Sequence, residues 1–332
     1  MLTWPHAETD WGARLDEVEP IFAEIASQIA RHELVLIVVT GTSHRQHVEQ
    51  QLVRRSCLLT QVQFAIAPSN DTWARDHGPL TVLVGDQPRL LDFRFNGWGN
   101  KYPAELDNRI NHELQRQHIF GRNPLESLDF VLEGGSIDSD GQGTLLTTST
   151  CLLAPGRNPE YDRAGIEHKL QQLLGIDRVL WLEHGYLAGD DTDSHIDMLA
   201  RFCSPDTIAY VSCDQPEDEH YTALQAMQNE LQQLKTADGK PYHLVALPFP
   251  DPLYDAGGQR LPASYANFLI INDAVLVPVY GDAKDAQALS QLQSCFPQRE
   301  VIGISCRPLI EQYGSLHCLT MQFPAGILSE AI

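Results

Sequence analysis

The sequence predicts an α/β fold in which one supersecondary unit, strand–strand–helix–strand (ββαβ), is used repeatedly in a closed or radial arrangement. Two observations predict it. Short apolar runs of strand character alternate with longer segments of helical periodicity along the whole chain. The later helical segments also begin about 55 to 65 residues apart, each preceded by two strand-like runs and followed by one. Such a unit needs neighbours to bury its apolar faces, which favours a single domain over 1–332 rather than two independent ones. No Gly/Ser-rich or Pro-rich linker separates the halves.

In chain order, helical patterning over 15–31 and 43–54 flanks an apolar run at 34–39. Strand-like runs at 80–84 and 90–93 precede a helix at 104–118, and a strand at 144–148 precedes a helix at 160–174 and a strand at 178–182. The pattern continues with strands at 196–201 and 207–211, a helix at 217–234 and a strand at 243–247, then strands at 268–271 and 275–279, a helix at 284–295 and a strand at 301–304. Several of these helices carry Pro or an acid in the first turn, where missing or exposed backbone N–H groups tolerate them.

Composition bounds the partners. With 44 acidic and 23 basic residues the formal net charge is -21, which repels phosphate backbones and attracts small cations, so nucleic acid is not expected as a partner. The same charge also serves solubility alone. The start of the chain, Met1 to Pro5, lacks the basic region and long apolar run of a secretory signal, and no apolar stretch is long enough to span a bilayer. No membrane partner and a cytoplasmic location are the expectations; the oligomeric state, a homo-oligomer included, stays open. Seven scattered cysteines (Cys57, Cys151, Cys203, Cys213, Cys295, Cys306 and Cys318) with no C-x-x-C spacing argue against a disulfide framework and a thiolate zinc site.

Four segments are rich in chemistry. In G-D-D-T-D-S-H-I-D, 189–197, a strand beginning near His195 would turn His195 and Asp197 to one face and Ile196 and Met198 to the other, setting a proton carrier beside a fixed charge. An acidic loop entering an ordinary strand reads the same way. In D-T-W-A-R-D-H-G-P, 71–79, Asp76 sits at a sharp strand entry, although a surface Arg75–Asp76 pair would look alike. In E-G-G-S-I, 133–137, Gly134 and Gly135 permit close approach by a ligand beside Glu133, or form a plain turn. In G-S-L-H-C-L-T-M-Q, 314–322, Cys318 lies on a loop-like lead into a final apolar strand; a thiol is a potent nucleophile without a metal, while a buried inert cysteine is the alternative. Asp190, Asp191, Asp193 and His195 could also ligate a hard cation such as Mg²⁺ or Mn²⁺.

Taken together, W-P-H (4–6), W-A-R-D-x-G-P (73–79), E-G-G-S-I, G-D-D-T-D-x-H-I-D and L-H-C-x-T-M-Q (316–322) resemble, in order, the motifs of the agmatine deiminase and bacterial-type peptidyl-arginine deiminase family, part of the guanidino-group-modifying superfamily. The resemblance covers nearly the whole chain. It implies a five-bladed α/β propeller (pentein) with pseudo-fivefold symmetry and no metal or organic cofactor. It also implies Cys318 as nucleophile, His195 as general acid and base, Glu133 as the carboxylate beside histidine and substrate, and Asp76 and Asp197 as the pair gripping a guanidinium. Asp191 is the position carried over for a distal amine, and Trp73 either lines the aliphatic stem of the substrate or belongs to the core.

The implied activity is hydrolysis of agmatine to N-carbamoylputrescine and ammonia, a step of polyamine metabolism toward putrescine. Deimination of arginine in peptides and non-catalytic binding of a small cationic guanidino compound are the alternatives. The residue types suit the task, because a guanidinium is a planar, resonance-shielded cation that paired carboxylates hold through charge-assisted bonds while a nucleophile adds. Three carboxylates beside Cys318 would disfavour its thiolate until a cationic substrate cancels their field.

Overall fold

The five sheets are all three-stranded and all run in sequence order, edge to centre to edge, among the residues 1–328 that the computed structural model describes. The chain divides into two units. The first comprises Met1–Gly134 with the segment from His317 onward, and the second Gly135–Leu316.

In the first unit, Leu2–Thr3, Val35–Val39 and Val62–Ile66 form a wholly parallel sheet, with the helices Leu15–Ala30 and Thr42–Arg54 as connections. The centre strand V-L-I-V-V is buried at every position, as an apolar run covered on both faces must be. In the second sheet Leu80–Val84 pairs antiparallel with Gln87–Arg94, which pairs parallel with Leu125–Val131. The core joins both sheets: Leu36, Val38 and Ala65 pack with Leu90, Ile110, Leu114, Phe120 and Ile327. The C-terminal segment is pinned to the first strand by an antiparallel bridge between Leu2 and Thr320 and by Met321 N–H donating to the Met1 carbonyl at 3.1 Å. This pairing positions Cys318, which lies in a turn rather than at the entry to the expected final strand.

The second unit repeats one pattern three times, an antiparallel pair followed by a helix and a parallel third strand. The strands are Ile137–Ser139, Thr144–Thr148 and Arg178–Leu182, then Ala200–Ser204, Thr207–Val211 and His243–Leu247, then Leu269–Ile271, Ala274–Val279 and Glu300–Ser305. The connecting helices are Arg163–Leu174, Tyr221–Gln233 and Asp285–Cys295. Buried polar groups tie the sheets together: Arg201 donates to Asp138 at 2.7 Å and to the Phe268 carbonyl at 2.9 Å, while Phe202 N–H donates to Asp138 at 2.6 Å.

Two further elements differ in kind or extent from the sequence expectation. The helix expected over 104–118 is a short 3₁₀ turn followed by Ile110–Arg116. The strand expected over 196–201 starts only at Ala200, because Ile196–Met198 is a 3₁₀ turn. His195 and Asp197 therefore flank and enter a tight turn rather than alternating along a strand. No helix of the described residues is long and apolar enough to cross a membrane.

Candidate active site

In the first unit the candidate residues collect around Arg75. Its guanidinium is buried and donates to the His317 carbonyl (3.4 Å), the Met321 sulfur (3.7 Å) and the Gln322 side-chain oxygen, while its backbone N–H donates to the Cys318 carbonyl at 3.1 Å. Arg75 is thus an internal anchor for the Cys318 segment, and the surface ion pair that sequence alone allowed is ruled out. Its own carbonyl lies so close to Gly134 that any Cβ there would collide with it. The close approach that the glycine permits is therefore made by the protein's own backbone, and it seats Glu133, which is fully buried, next to the Arg75 turn.

Asp76 follows in the short helix Ala74–His77 and is 4% exposed. Its carboxylate accepts from Trp98 Nε1 at 3.0 Å. Trp98 reaches it from a left-handed stretch, Gly97, Trp98 and Gly99 all having positive φ, and a side chain at Gly97 would collide with the Tyr102 carbonyl. Asn111 donates to the His77 carbonyl and to Asp92, both at 2.7 Å, which locks the short helix to the second sheet. Burial lowers the His77 ring to about 3, so this imidazole is neutral; its Nε2 is 3.2 Å from the Thr3 hydroxyl. Cys318 is 7% exposed, in a turn closed by Thr320 N–H and hydroxyl donating to the His317 carbonyl, both at 3.0 Å.

Trp73 is 6% exposed, donates to Asp71 at 3.1 Å and packs 5.8 Å from the Trp11 ring. Its body is core, with one edge pinned by a carboxylate. Burial pushes Asp71 up to about 7, with the Asp10 charge adding, against hydrogen bonds from Thr72 and Trp73. Burial likewise pushes Asp107 up to about 8, although it accepts from the Asn70 and Asp71 N–H groups at 2.7 and 3.2 Å.

In the second unit the His195 segment is caged by its own acid. Asp190 accepts from the Thr192 hydroxyl (2.6 Å), Thr192 N–H (3.2 Å) and Ser194 N–H (2.7 Å). Buried Arg157 clamps Asp193 at 2.7 Å and the Thr192 carbonyl at 2.9 Å. These contacts hold Asp193 and Ser194 in the left-handed region (φ 67° and 64°), a costly conformation for residues with a side chain. With Asp190 and Asp193 committed to protein donors, the hard-cation reading of Asp190, Asp191, Asp193 and His195 loses support. His195 and Asp197 are fully buried, Asp191 is half-buried, and Asn267 donates to the Asp197 carbonyl at 3.3 Å.

The structure therefore brings the Cys318 carbonyl and Gly134, beside Glu133, against Arg75 in the first unit, with Trp73 and Asp76 on either side of it in the same short turn, and it gathers His195, Asp197 and Asp191 in one loop and turn in the second. Sequence reasoning missed two contributors. Arg75 was visible only as a neighbour of Asp76, and Trp98 only through the glycines on either side of it.

Residues 1–324 match the family model described as Porphyromonas-type peptidyl-arginine deiminase. The agmatine deiminase of Stutzerimonas stutzeri (strain A1501) is 33% identical over 352 residues, spanning 98% of this chain and 92% of that protein. A serine-for-cysteine variant of C. jejuni agmatine deiminase, solved with substrate bound, superposes with a TM-score of 0.88 at 39% identity over 96% of this chain and 90% of that one. A solved structure from Porphyromonas gingivalis, provisionally named an arginine deiminase, superposes at 0.93 with 52% identity over 99% and 96%.

Proposed function

Because the chain belongs to the Porphyromonas-type peptidyl-arginine deiminase family, we propose that it is a hydrolase acting on a guanidino C–N bond, with agmatine as substrate and N-carbamoylputrescine and ammonia as products. The observation that carries this reading is the convergence on the Arg75 backbone of the Cys318 carbonyl and of Gly134, the neighbour of Glu133, with Asp76 the next residue of the same short helix. Agmatine deiminases among the relatives support the substrate.

In this proposal Asp76 and Asp197 accept N–H bonds from the guanidinium and fix its plane. The Cys318 thiol gives its proton to His195 as its sulfur adds to the central carbon, forming a tetrahedral adduct; the imidazolium then passes that proton to one amino nitrogen, and the C–N bond breaks to release ammonia. An S-alkylthiouronium remains. His195 then takes a proton from water, whose oxygen adds to the same carbon; collapse of that adduct breaks the C–S bond, the hydroxyl proton passing to the departing sulfur, to give the neutral ureido product and the free thiol, and the imidazolium returns its proton to ammonia. Glu133 orients the imidazole and favours its charged form. The half-buried Asp191 receives the distal amine, and Trp73 offers an edge to the aliphatic stem. We infer further that both units act as one catalytic domain over 1–332 and that the five sheets are the blades of a pseudo-fivefold propeller; four of the five share the same antiparallel-then-parallel order.

The description of the matching family, a peptidyl-arginine deiminase, keeps peptide arginine in view as a second substrate. Incubation with agmatine, free arginine and an arginyl peptide, followed by assay of ureido product and ammonia, separates the readings. Turnover of agmatine that survives chelation and disappears in Cys318→Ala is the expected result; ureido product from the peptide alone would replace agmatine, and full activity in Cys318→Ala would remove the thiol mechanism.

A further inference from the structure

We propose that Thr148 is a positioning residue for His195, holding the peptide that carries the imidazole, and that the Cys151 thiol forms the wall against which the ring rests. The inference deepens the acid–base role given to His195 and rests on that reading.

The geometry lies wholly within the second unit. Thr148 ends a strand that is buried at every position and caps the short helix Ser149–Leu152. Its hydroxyl is used in both directions, donating to the Ser194 carbonyl at 2.8 Å and accepting from Cys151 N–H at 3.3 Å. The Ser194 carbonyl belongs to the peptide unit whose N–H is that of His195, and this N–H donates to the Thr192 hydroxyl at 3.3 Å. Both polar groups of the peptide entering His195 are therefore held, the carbonyl by Thr148 and the amide by Thr192. With that peptide plane fixed, the freedom left to the ring is rotation about the His195 N–Cα bond and its own side-chain torsions. Cys151 Sγ lies within 4.8 Å of an imidazole nitrogen and is fully buried, so it limits those torsions.

The same stretch of chain grips the loop again further on, through Arg157 on Asp193 and the Thr192 carbonyl. One segment, 148–157, thus holds the backbone from 192 to 195 at successive points. A hydroxyl is required at 148. Valine has nearly the same shape, but it would leave the Ser194 carbonyl and the Cys151 amide unpaired inside the protein. Within this unit Asp190, Asp193, Arg157 and Cys151 lie against the segment, Asp191 and Asp197 neighbour it in sequence, and none of them changes in Thr148→Val.

The test compares Thr148→Val, Thr148→Ser and Cys151→Ala in the full chain. Misplacement of a reacting group by about 1 Å costs up to roughly 10²-fold in rate, so Thr148→Val should lower kcat by about 10- to 100-fold with KM within about twofold. The acid–base limbs of its pH profile should move, and Thr148→Ser should restore both. Titration of the His195 imidazole by NMR in the substrate-free protein should be displaced in Thr148→Val and in Cys151→Ala but not in Thr148→Ser. A folded Thr148→Val with unchanged imidazole titration and unchanged kcat overturns the proposal. So does an unmoved titration in Cys151→Ala, should the valine variant not fold. The NMR readout does not need turnover: a wild-type protein that makes no ureido product would sink the functional reading, while a displaced titration in Thr148→Val would still support the bracket.

Discussion

The interior polar contacts of the two units differ in make-up. The second pairs arginines with aspartates: the buried Arg157 and Arg201 with Asp193 and Asp138, and the partly exposed Arg260 with Asp218, each at 2.7 Å. In the first, Arg75 reaches carbonyl, thioether and amide groups of the C-terminal segment, and the acids Asp71 and Asp107 accept from backbone N–H groups. The pKa values follow the difference. Burial opposes the charge on Asp218, yet hydrogen bonds from Arg260 and His220 hold it down at about 2, whereas burial carries Asp71 and Asp107 up to about 7 and 8. The same sheet pattern is therefore compatible with ion-paired or with neutral interior polar groups, and what differs is the pH at which each interior is at ease.

The largest expected effect comes from breaking the anchor of the first unit. Arg75→Ala removes three side-chain donations to buried groups, and hydrogen bonds from a charged donor are worth about 1.5 to 3 kcal/mol each, so the net loss should be on the order of 3 kcal/mol after relaxation. Because the Arg75 side chain holds the His317 carbonyl, next to Cys318, together with Met321 and Gln322, kcat should fall by up to about 10²-fold. Arg75→Lys keeps the charge but not the planar fork and should fall between. Denaturant unfolding and steady-state kinetics on both variants check this; an Arg75→Ala enzyme with wild-type kcat would detach the anchor from the site.

A smaller effect, opposite in sign for the two units, should appear as pH is changed. Asp218 has a folded pKa below its ordinary 3.8, so its contribution is present above about pH 4 and is lost as pH falls toward 2. Each tenfold change in a protonation equilibrium is worth about 1.4 kcal/mol, so the contribution is on the order of 2 kcal/mol. Asp218→Asn should be destabilised by about this amount at pH 7 but match the parent near pH 2. Asp71 and Asp107 have folded values above 3.8, so their contribution is complete below that pH and is lost as pH rises through 7 to 8. Asp107→Asn keeps an acceptor for the Asn70 and Asp71 N–H groups and cannot ionise, so it should be more stable than the parent at pH 9, with no gain at pH 4. Melting temperatures across pH 2 to 9 for the three proteins decide the matter. A uniform offset at every pH would show that charge is not the cause.

How far each region could be read from sequence follows from the range of its contacts. The cage around His195 is local, Asp190 reaching residues two and four positions on, and the acidic run that builds it was visible at once. Its consequence was not, because the left-handed Asp193 and Ser194 and the 3₁₀ turn after them delay the strand to Ala200, and alternation of faces was the wrong period for that stretch. The Arg75 anchor joins residues more than 240 positions apart, and no local pattern reports it. The ββαβ unit was legible where strands are long apolar runs, as at Thr144–Thr148 and Thr207–Val211. Leu2–Thr3, Val62–Ile66, Leu125–Val131 and Ile137–Ser139 escaped, being two or three residues long or carrying polar residues at half-exposed positions.

The smallest effect sharpens the comparison on the second unit's side. Asp190→Ala deletes three short-range acceptor contacts in a segment where Arg157 and Thr148 still hold the backbone, so the loss should be about 1 kcal/mol, well short of the Arg75 change. Because Asp190 and Thr148 both act on the peptides entering His195, the two substitutions should not add. A cycle of Asp190→Ala, Thr148→Val and the double variant should show a coupling of about 0.5 kcal/mol or more, within the range found for residues sharing one hydrogen-bond network. Asp190→Ala paired with Asp107→Asn, which lies in the other unit and shares no partner with it, should instead be additive to within about 0.5 kcal/mol. Coupling of similar size in both cycles would mean that the His195 cage is not a local device, and the contrast between a locally braced loop and a remotely anchored thiol would have to be abandoned.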